Sequence, residues 1–184
     1  RTEEVSRVTL TASGGALRDW PAERVARATV SDALNHPTWA MGPKITIDSA
    51  TLVNKALEIV EAHWLFGLPA ERIDVLIHPE SIVHAMVEYR DGSVLAQLGL
   101  PDMTTPIAYA LSHPRRWERD VRAPDLAEMG RLTFRRPEGR FARAVALGHE
   151  AIRRGGAAGA VLNAANEAAV AAFLEGRLPF GRIV

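Results

Sequence analysis

Asn54, Lys55 and Glu58 bring a carboxamide, an ammonium and a carboxylate together at spacings of one, three and four residues, which a helix sets on one side. Just ahead of them Asp48, Ser49 and Thr51 add a carboxylate and two hydroxyls, residue types suited to capping a helix start. A helix amino terminus carries free amides and partial positive charge, so an anion is favoured there. Ser49, Asn54 and Lys55 could hold one phosphate, each charge-assisted hydrogen bond contributing about 1.5 to 3 kcal/mol. Glu58, one turn deeper, would repel that phosphate. Its presence implies either a salt bridge to Lys55 or a divalent metal held by oxygen ligands.

These groups need a helix, and the stretch from about 51 to 66 supplies one, ending at Gly67 with Pro69 just beyond. At 100° per residue, Asn54, Lys55 and Glu58 span an arc of about 100°, with Leu52, Val53, Ala56, Leu57, Ile59 and Val60 opposite. A plain amphipathic surface helix would continue the polar stripe, yet Ala62 and Leu65 occupy the same arc further along. On spacing alone, the plainer reading of a capped surface helix with an i,i+3 Lys–Glu pair stands ahead of a binding site. The interruption at Ala62 and Leu65 argues for a local site.

Other groups are less specific. The Ser13-Gly14-Gly15 turn that closes "VSRVTLTASGG" could turn its amides toward an anion. His36 precedes the proline-rich loop "HPTWAMGPK", which reads as a flap with two apolar tips, Trp39 and Met41. His78, Glu80 and His84 match no zinc spacing, "RRGGAAGA" is no dinucleotide fingerprint, and no nucleophile-elbow serine occurs. Asn163, Asn166 and Glu167 read as a solvent-facing or helix-packing stripe.

The elements that must carry these residues follow from patterning. "VSRVTLTA" is a short, β-branched buried strand, and residues 21 to 35 read as one helix with Pro21 in its first turn. Asp91-Gly92 between two alternating runs predicts a hairpin with a type I′ turn. In that hairpin Val83, Ala85, Val87 and Tyr89 would share the buried face with Val94, Ala96 and Leu98, leaving His84, Met86, Glu88, Leu95 and Gln97 opposite. Residues 113 to 140, rich in Arg and Pro, read as a surface linker. The segment from about 141 onward reads as a helical hairpin with a glycine hinge. No internal repeat appears.

The 184 residues can bury a sizeable core. With 22 basic against 22 acidic side chains, neither a nucleic-acid footprint nor an acidic tail is indicated. The absence of cysteine excludes disulfide and thiolate chemistry. No apolar run approaches the ~20 residues of a membrane helix, so a cytoplasmic location is the expectation. Beginning at Arg1 and ending within an apolar stretch, the sequence reads as a piece of something longer.

Taken together, "LTASGG", "HPTWAMGPKITIDSATLVNKALE", "LIHPESIVHAMVEYRDGSVLAQLGLPDM" and "LNAANEAAVAAFL" closely resemble the 1-deoxy-D-xylulose 5-phosphate reductoisomerases, in order and with few gaps. The resemblance implies an α+β fold. A central catalytic domain, with a mostly antiparallel sheet packed by helices, would occupy residues 1–112, a linker 113–140 and part of an α-helical bundle 141–184. The family's amino-terminal dinucleotide-binding domain, a substrate lysine and an acidic pair of metal ligands are expected upstream. The implied activity is an NADPH-dependent oxidoreductase reaction, assisted by Mn²⁺ or Mg²⁺. It rearranges and reduces 1-deoxy-D-xylulose 5-phosphate to 2-C-methyl-D-erythritol 4-phosphate in non-mevalonate isoprenoid synthesis.

By the same resemblance, Ser13, His36, Ser49, Asn54 and Lys55 hold substrate, chiefly its phosphate, and Glu58 ligates metal and also touches substrate. Glu58, Lys55 and His36 would take part in the chemistry. Trp39 and Met41 belong to the closing flap, Gly42 and Met103 lie near the nicotinamide, and His84 lies near the site. A homodimer in the cytoplasm, or in a plastid for a plant-type host, is implied, with no nucleic-acid or membrane partner. The 184 residues alone are expected to lack turnover. Two departures stand out: Ala16-Leu17 replaces an expected Pro-Phe, and Pro43 follows Gly42, where it could stiffen the flap.

Overall fold

The computed structural model describes residues 2 to 37 and 40 to 184. In chain order it has β1 (Val5–Ala12), α1 (Ala22–Val25), α2 (Val30–Leu34), α3 (Pro43–Thr51), α4 (Val53–Phe66), β2 (Ile73–Ile77), β3 (Val83–Tyr89) and β4 (Val94–Leu98). Then come α5 (Thr104–Ser112), α6 (Leu126–Met129), α7 (Arg140–Arg154) and α8 (Ala158–Leu174). The strands form one sheet in the order β2-β1-β3-β4. β1 runs parallel to β2, with Val8 opposite Ile73 and Ala12 opposite Ile77, and antiparallel to β3, which pairs antiparallel with β4. The α+β architecture with a mostly antiparallel sheet is as expected.

Two buried clusters hold the fold together. The first joins the sheet to α4 and α7 through Val8, Ala12, Val53, Ile59, Ile73, Val75, Phe141 and Ala144. At its tightest point a Cβ on Gly148 of α7 would lie 2.7 Å from the Ala56 carbonyl oxygen of α4, so glycine lets the helices close. The second cluster joins α1, α2 and α3 to the end of α8 through Leu17, Val25, Ala33, Ile47, Ala50, Val170 and Phe173. Leu17, the departure noted in the sequence, is fully buried there.

Several elements differ from the sequence reading. The expected helix from 51 to 66 begins instead at Val53, and Asp48, Ser49 and Thr51 form the last turns of a separate helix, α3; of the three, Thr51 still reaches the start of α4, its Oγ1 accepting from the Val53 N–H at 3.3 Å. Pro43 is the first residue of α3, where its fixed φ and missing N–H suit a helix start, rather than a stiffener within a flap. "ITID" is β-branched and alternating, which hid the helix. Leu52 joins the two helices in a left-handed conformation, φ 69°. Such a conformation costs on the order of 1–3 kcal/mol for a residue with a Cβ. Burial of the Leu52 side chain, 2% exposed, contributes a similar amount.

The single helix expected over 21 to 35 is two short ones, because Thr29 and Asp32 form a capping box that starts α2 afresh. The hairpin forms, but its turn is not type I′: only Gly92 has positive φ, 84°, in a three-residue loop closed by Tyr89 N–H donating to the Ser93 carbonyl. The odd loop length shifts the register. Val87 opposes Leu95 and Met86 opposes Ala96, so Leu95 shares a face with Val87, and Val94 and Ala96 share one with Glu88 and Met86. The α7–α8 hairpin turns at Gly155 and Gly156, both at positive φ, as the glycine hinge implied.

Candidate functional site

β1 delivers the chain to Ser13-Gly14-Gly15, and this turn lies directly on the backbone of α3. A Cβ on Gly15, φ 69°, would sit 2.5 Å from the Ala50 Cα and 2.6 Å from its nitrogen, so only glycine permits the approach. The Gly15 amide is satisfied by Ser13 Oγ at 3.2 Å. That contact brings three sequence-distant groups together: His36 Nε2 lies 3.1 Å from Ser13 Oγ and 3.2 Å from Ser49 Oγ. Burial, and secondarily the positive charge of Arg18, hold the His36 imidazole below its ordinary value of 6.5. Arg18 is itself fixed by donating from Nη1 to the Ser13 carbonyl at 3.2 Å.

The start of α4 carries the second group. Asn54 Nδ2 donates to Glu58 Oε1 and Lys55 Nζ to Glu58 Oε2, each at 2.6 Å. The i,i+3 pair of the plainer reading is therefore present. Its surroundings are mixed: the Lys55 side chain is 13% exposed and Ala62, on the same arc, is buried, while Leu65 further along that arc is 67% exposed. Glu58 is the more open partner, at 33%.

His84 lies close by. It meets the Gly99 carbonyl at 3.1 Å through Nε2, and its imidazole is pushed below its ordinary value chiefly by burial, with the charge of Lys55 among the lesser causes. A cleft of about 550 Å³ lined by Leu34, Asn35, His36, Pro37, Ala40, Met41 and Gly42 opens where the flap was expected. Trp39 lies outside the described residues. Gly42 precedes α3 as its N-cap, and Met103, exposed, is the N-cap of α5.

His78 is a satisfied core histidine: Nδ1 meets the Thr133 carbonyl at 2.8 Å, Nε2 accepts from Ile82 N–H at 3.0 Å, and the ring stacks on Phe134. Sequence reasoning missed a buried cluster beside the site. Asp48 is bound by Lys44 Nζ at 2.7 Å and by Asn166 Nδ2, from α8, at 2.8 Å. The i,i+4 spacing of Lys44 and Asp48 was readable, but the partnership with Asn166, far along the chain, was not. Of the polar stripe read on α8, Asn163 and Glu167 pair with each other at 3.0 Å on the surface.

For a metal, Glu58 is the right donor type, a hard carboxylate oxygen. Among the described residues no cluster of three or more His, Cys, Asp or Glu side chains is placed to hold an ion. One carboxylate suits a cation such as Mg²⁺, which keeps water and substrate oxygens in its shell. For a nicotinamide, the exposed Met103 side chain offers an apolar surface, and a Cβ on Gly42 would meet none of the described residues within 4 Å.

Fold and side-chain geometry together define an α+β domain with two candidate groups, Ser13, His36 and Ser49 where a central strand runs into a glycine turn, and Asn54, Lys55 and Glu58 at the start of α4. Comparison with known proteins names the particular kind. Two family models, the 1-deoxy-D-xylulose 5-phosphate reductoisomerase C-terminal domain and the DXP reductoisomerase C-terminal domain, match residues 1–66 and 98–184. The 1-deoxy-D-xylulose 5-phosphate reductoisomerase of Acidithiobacillus ferrooxidans (strain ATCC 53993 / BNL-5-31) is 60% identical over 179 residues, 97% of this chain and 46% of that protein. That of Chlorobium chlorochromatii (strain CaD3) is 57% identical over 180 residues, 98% of this chain and 47% of that one.

Among solved structures, a DOX-P reductoisomerase in complex with NADPH, fosmidomycin and magnesium superimposes with a TM-score of 0.92 at 47% identity, over 98% of this chain and 44% of that one. The Zymomonas mobilis enzyme in complex with NADPH gives 0.91 at 45% identity, over 99% of this chain and 47% of that one. The chain belongs to the 1-deoxy-D-xylulose 5-phosphate reductoisomerase family. It spans about half the length of the curated relatives it matches.

Proposed function

We propose that the chain is the substrate-binding half of an enzyme that rearranges and reduces 1-deoxy-D-xylulose 5-phosphate to 2-C-methyl-D-erythritol 4-phosphate with NADPH. The carrying observation is the convergence of Ser13, His36 and Ser49 across the Gly15–Ala50 contact; the largely buried Lys55 at the start of α4 adds a cation. Two hydroxyls, an imidazole and an ammonium suit a phosphate dianion. In this reading Ser13, Ser49 and Asn54 orient the phosphate and Lys55 balances its charge. His36, kept toward its neutral form by burial, directs its Nε2 to the same point. Phosphate lies remote from the reacting carbons, so its binding energy can be used to align the rest of the substrate.

Glu58 would hold the divalent cation, Mn²⁺ or Mg²⁺. When bound, that ion supplies Lewis-acid polarisation of the substrate's carbonyl and hydroxyl oxygens. Met41 and Trp39 would exclude water as the flap closes, and Gly42 and Met103 would border the nicotinamide, which supplies hydride. Glu58, Lys55 and His36 are the residues assigned to the chemistry, and His84 borders the site without an assigned role.

The division into 1–112, 113–140 and 141–184 is retained as part of the proposal. The irregular course after α5 supports it, while α7 and α8 couple the parts by packing on α4 and α3. A homodimer without membrane or nucleic-acid partners, in the cytoplasm or a plastid, completes the reading. The balance of 22 basic and 22 acidic side chains supports only the lack of a nucleic-acid partner, and no helix of the described residues is long and apolar enough to cross a membrane.

The test is NADPH oxidation with the sugar phosphate and Mn²⁺, assayed on the 184 residues alone and on the intact protein. Turnover is expected only in the latter, because these residues supply a single carboxylate ligand. An intact protein inactive with this substrate, yet binding inorganic phosphate, would overturn the assigned reaction.

A further inference from the structure

We infer that Asn166 on α8 is a positioning residue for the phosphate site, acting through the buried carboxylate of Asp48 on Ser49. The inference rests on the phosphate reading of Ser13, His36 and Ser49.

Asp48 is 1% exposed, and a buried carboxylate demands partners. Lys44 reaches its Oδ2 from the solvent edge at 2.7 Å, and Asn166 Nδ2 reaches Oδ1 at 2.8 Å from the opposite side. Asn166 is itself 5% exposed and sits beside the apolar cluster of Ile47, Ala50, Val170 and Phe173. Its own Oδ1 is buried without a hydrogen-bond partner among the described residues. Such an unmet acceptor costs stability, a cost borne for the donor on the same amide. What the amide provides that leucine cannot is direction: a single donor aimed at one oxygen fixes the rotation and height of α3 against α8.

Ser49 is the residue that follows Asp48, and its hydroxyl is half of the His36 cradle. Gly15 lies against the Ser49–Ala50 peptide with no space for a Cβ, which would sit 2.7 Å from the Ser49 carbonyl carbon. A shift of α3 along α8 therefore moves Ser49 against Ser13, which follows β1 of the sheet, while His36 follows α2, part of the same buried cluster as α3 and the end of α8. Lys44 extends the latch to the chain that enters α3 from the flap, two residues after Gly42.

The experiment measures inorganic phosphate binding by calorimetry on the intact protein, as wild type, Asn166→Leu and the exchange variant Asp48→Asn/Asn166→Asp, with thermal melts alongside. Asn166→Leu strips the buried Asp48 Oδ1 of its donor and is expected to melt below the wild type; measured well below that melting temperature, its phosphate dissociation constant rises roughly three- to thirtyfold, and the exchange variant recovers part of both losses. Asn166→Ser, too short to reach Asp48, gives the same weakening and serves where the leucine variant does not fold. Wild-type affinity in whichever of these variants folds overturns the latch. A wild-type protein that binds no phosphate overturns the phosphate reading, and the latch with it.

Discussion

Glu58 holds Lys55 and Asn54 at once, so changing it tests the metal assignment and the charge balance of the site together. Glu58→Gln keeps the shape and one acceptor oxygen but removes the charge. In the intact protein NADPH oxidation should then fall by at least roughly 100-fold, the upper range for disturbing partners one shell further from a metal. Activity retained at the wild-type level would remove Glu58 from the metal site. His36 and His84 define a pH dependence. Both have folded-state values depressed below 6.5, so the unfolded chain binds more protons and stability rises with pH through that window. Their contribution is complete above about 6.5 and is lost as the pH falls below it. Denaturant midpoints measured between pH 7.5 and 5 should decline, and His36→Gln should flatten the decline. An unchanged slope in the variant would assign the dependence to other groups.

At the scale of elements, two glycines decide whether the pieces meet. Gly15→Ala places a methyl group on the Ala50 backbone and adds left-handed strain, so stability should drop by about 2–4 kcal/mol and phosphate binding should weaken with it. Gly148→Ala presses a methyl on the Ala56 carbonyl where α7 crosses α4 and should cost about 1–3 kcal/mol. Thermal melts of both variants check this, and a wild-type melting temperature in either would show that the helices or turn can move aside. These contacts also separate what local patterning conveys from what it leaves out. The glycine turn after β1 and the α7–α8 hinge were legible as turn chemistry. The helix over Pro43–Thr51 was not, because its alternating β-branched residues resemble extended chain and because Leu52, a residue that normally avoids positive φ, ends it.

For the whole molecule, the outer hairpin is one exposed apolar region, and Trp64, Leu65 and Phe66 at the end of α4 are another. Leu95 is 63% exposed on the edge strand, with Val94 beside it and Ile107 and Leu111 also exposed on α5. Among the described residues no strand pairs with the outer edge of β4, and such edges are templates for association. If the proposed homodimer uses this edge, Leu95→Lys should shift the intact protein from dimer to monomer in light scattering at micromolar concentration. A wild-type monomer would count against the dimer itself. The sequence by itself determined the hairpin, the helical hairpin and the identity of the polar residues, because periodicity and turn residues are local properties, and the order of its motifs carried the resemblance that implied the α+β class. Only the tertiary structure decided that Ser13, His36 and Ser49 share one point, that β4 turns Leu95 to the same face as Val87, and that Asn166 reaches Asp48. Each depends on long-range packing, where the space left by a glycine or the length of a loop sets the register, and no local pattern encodes it.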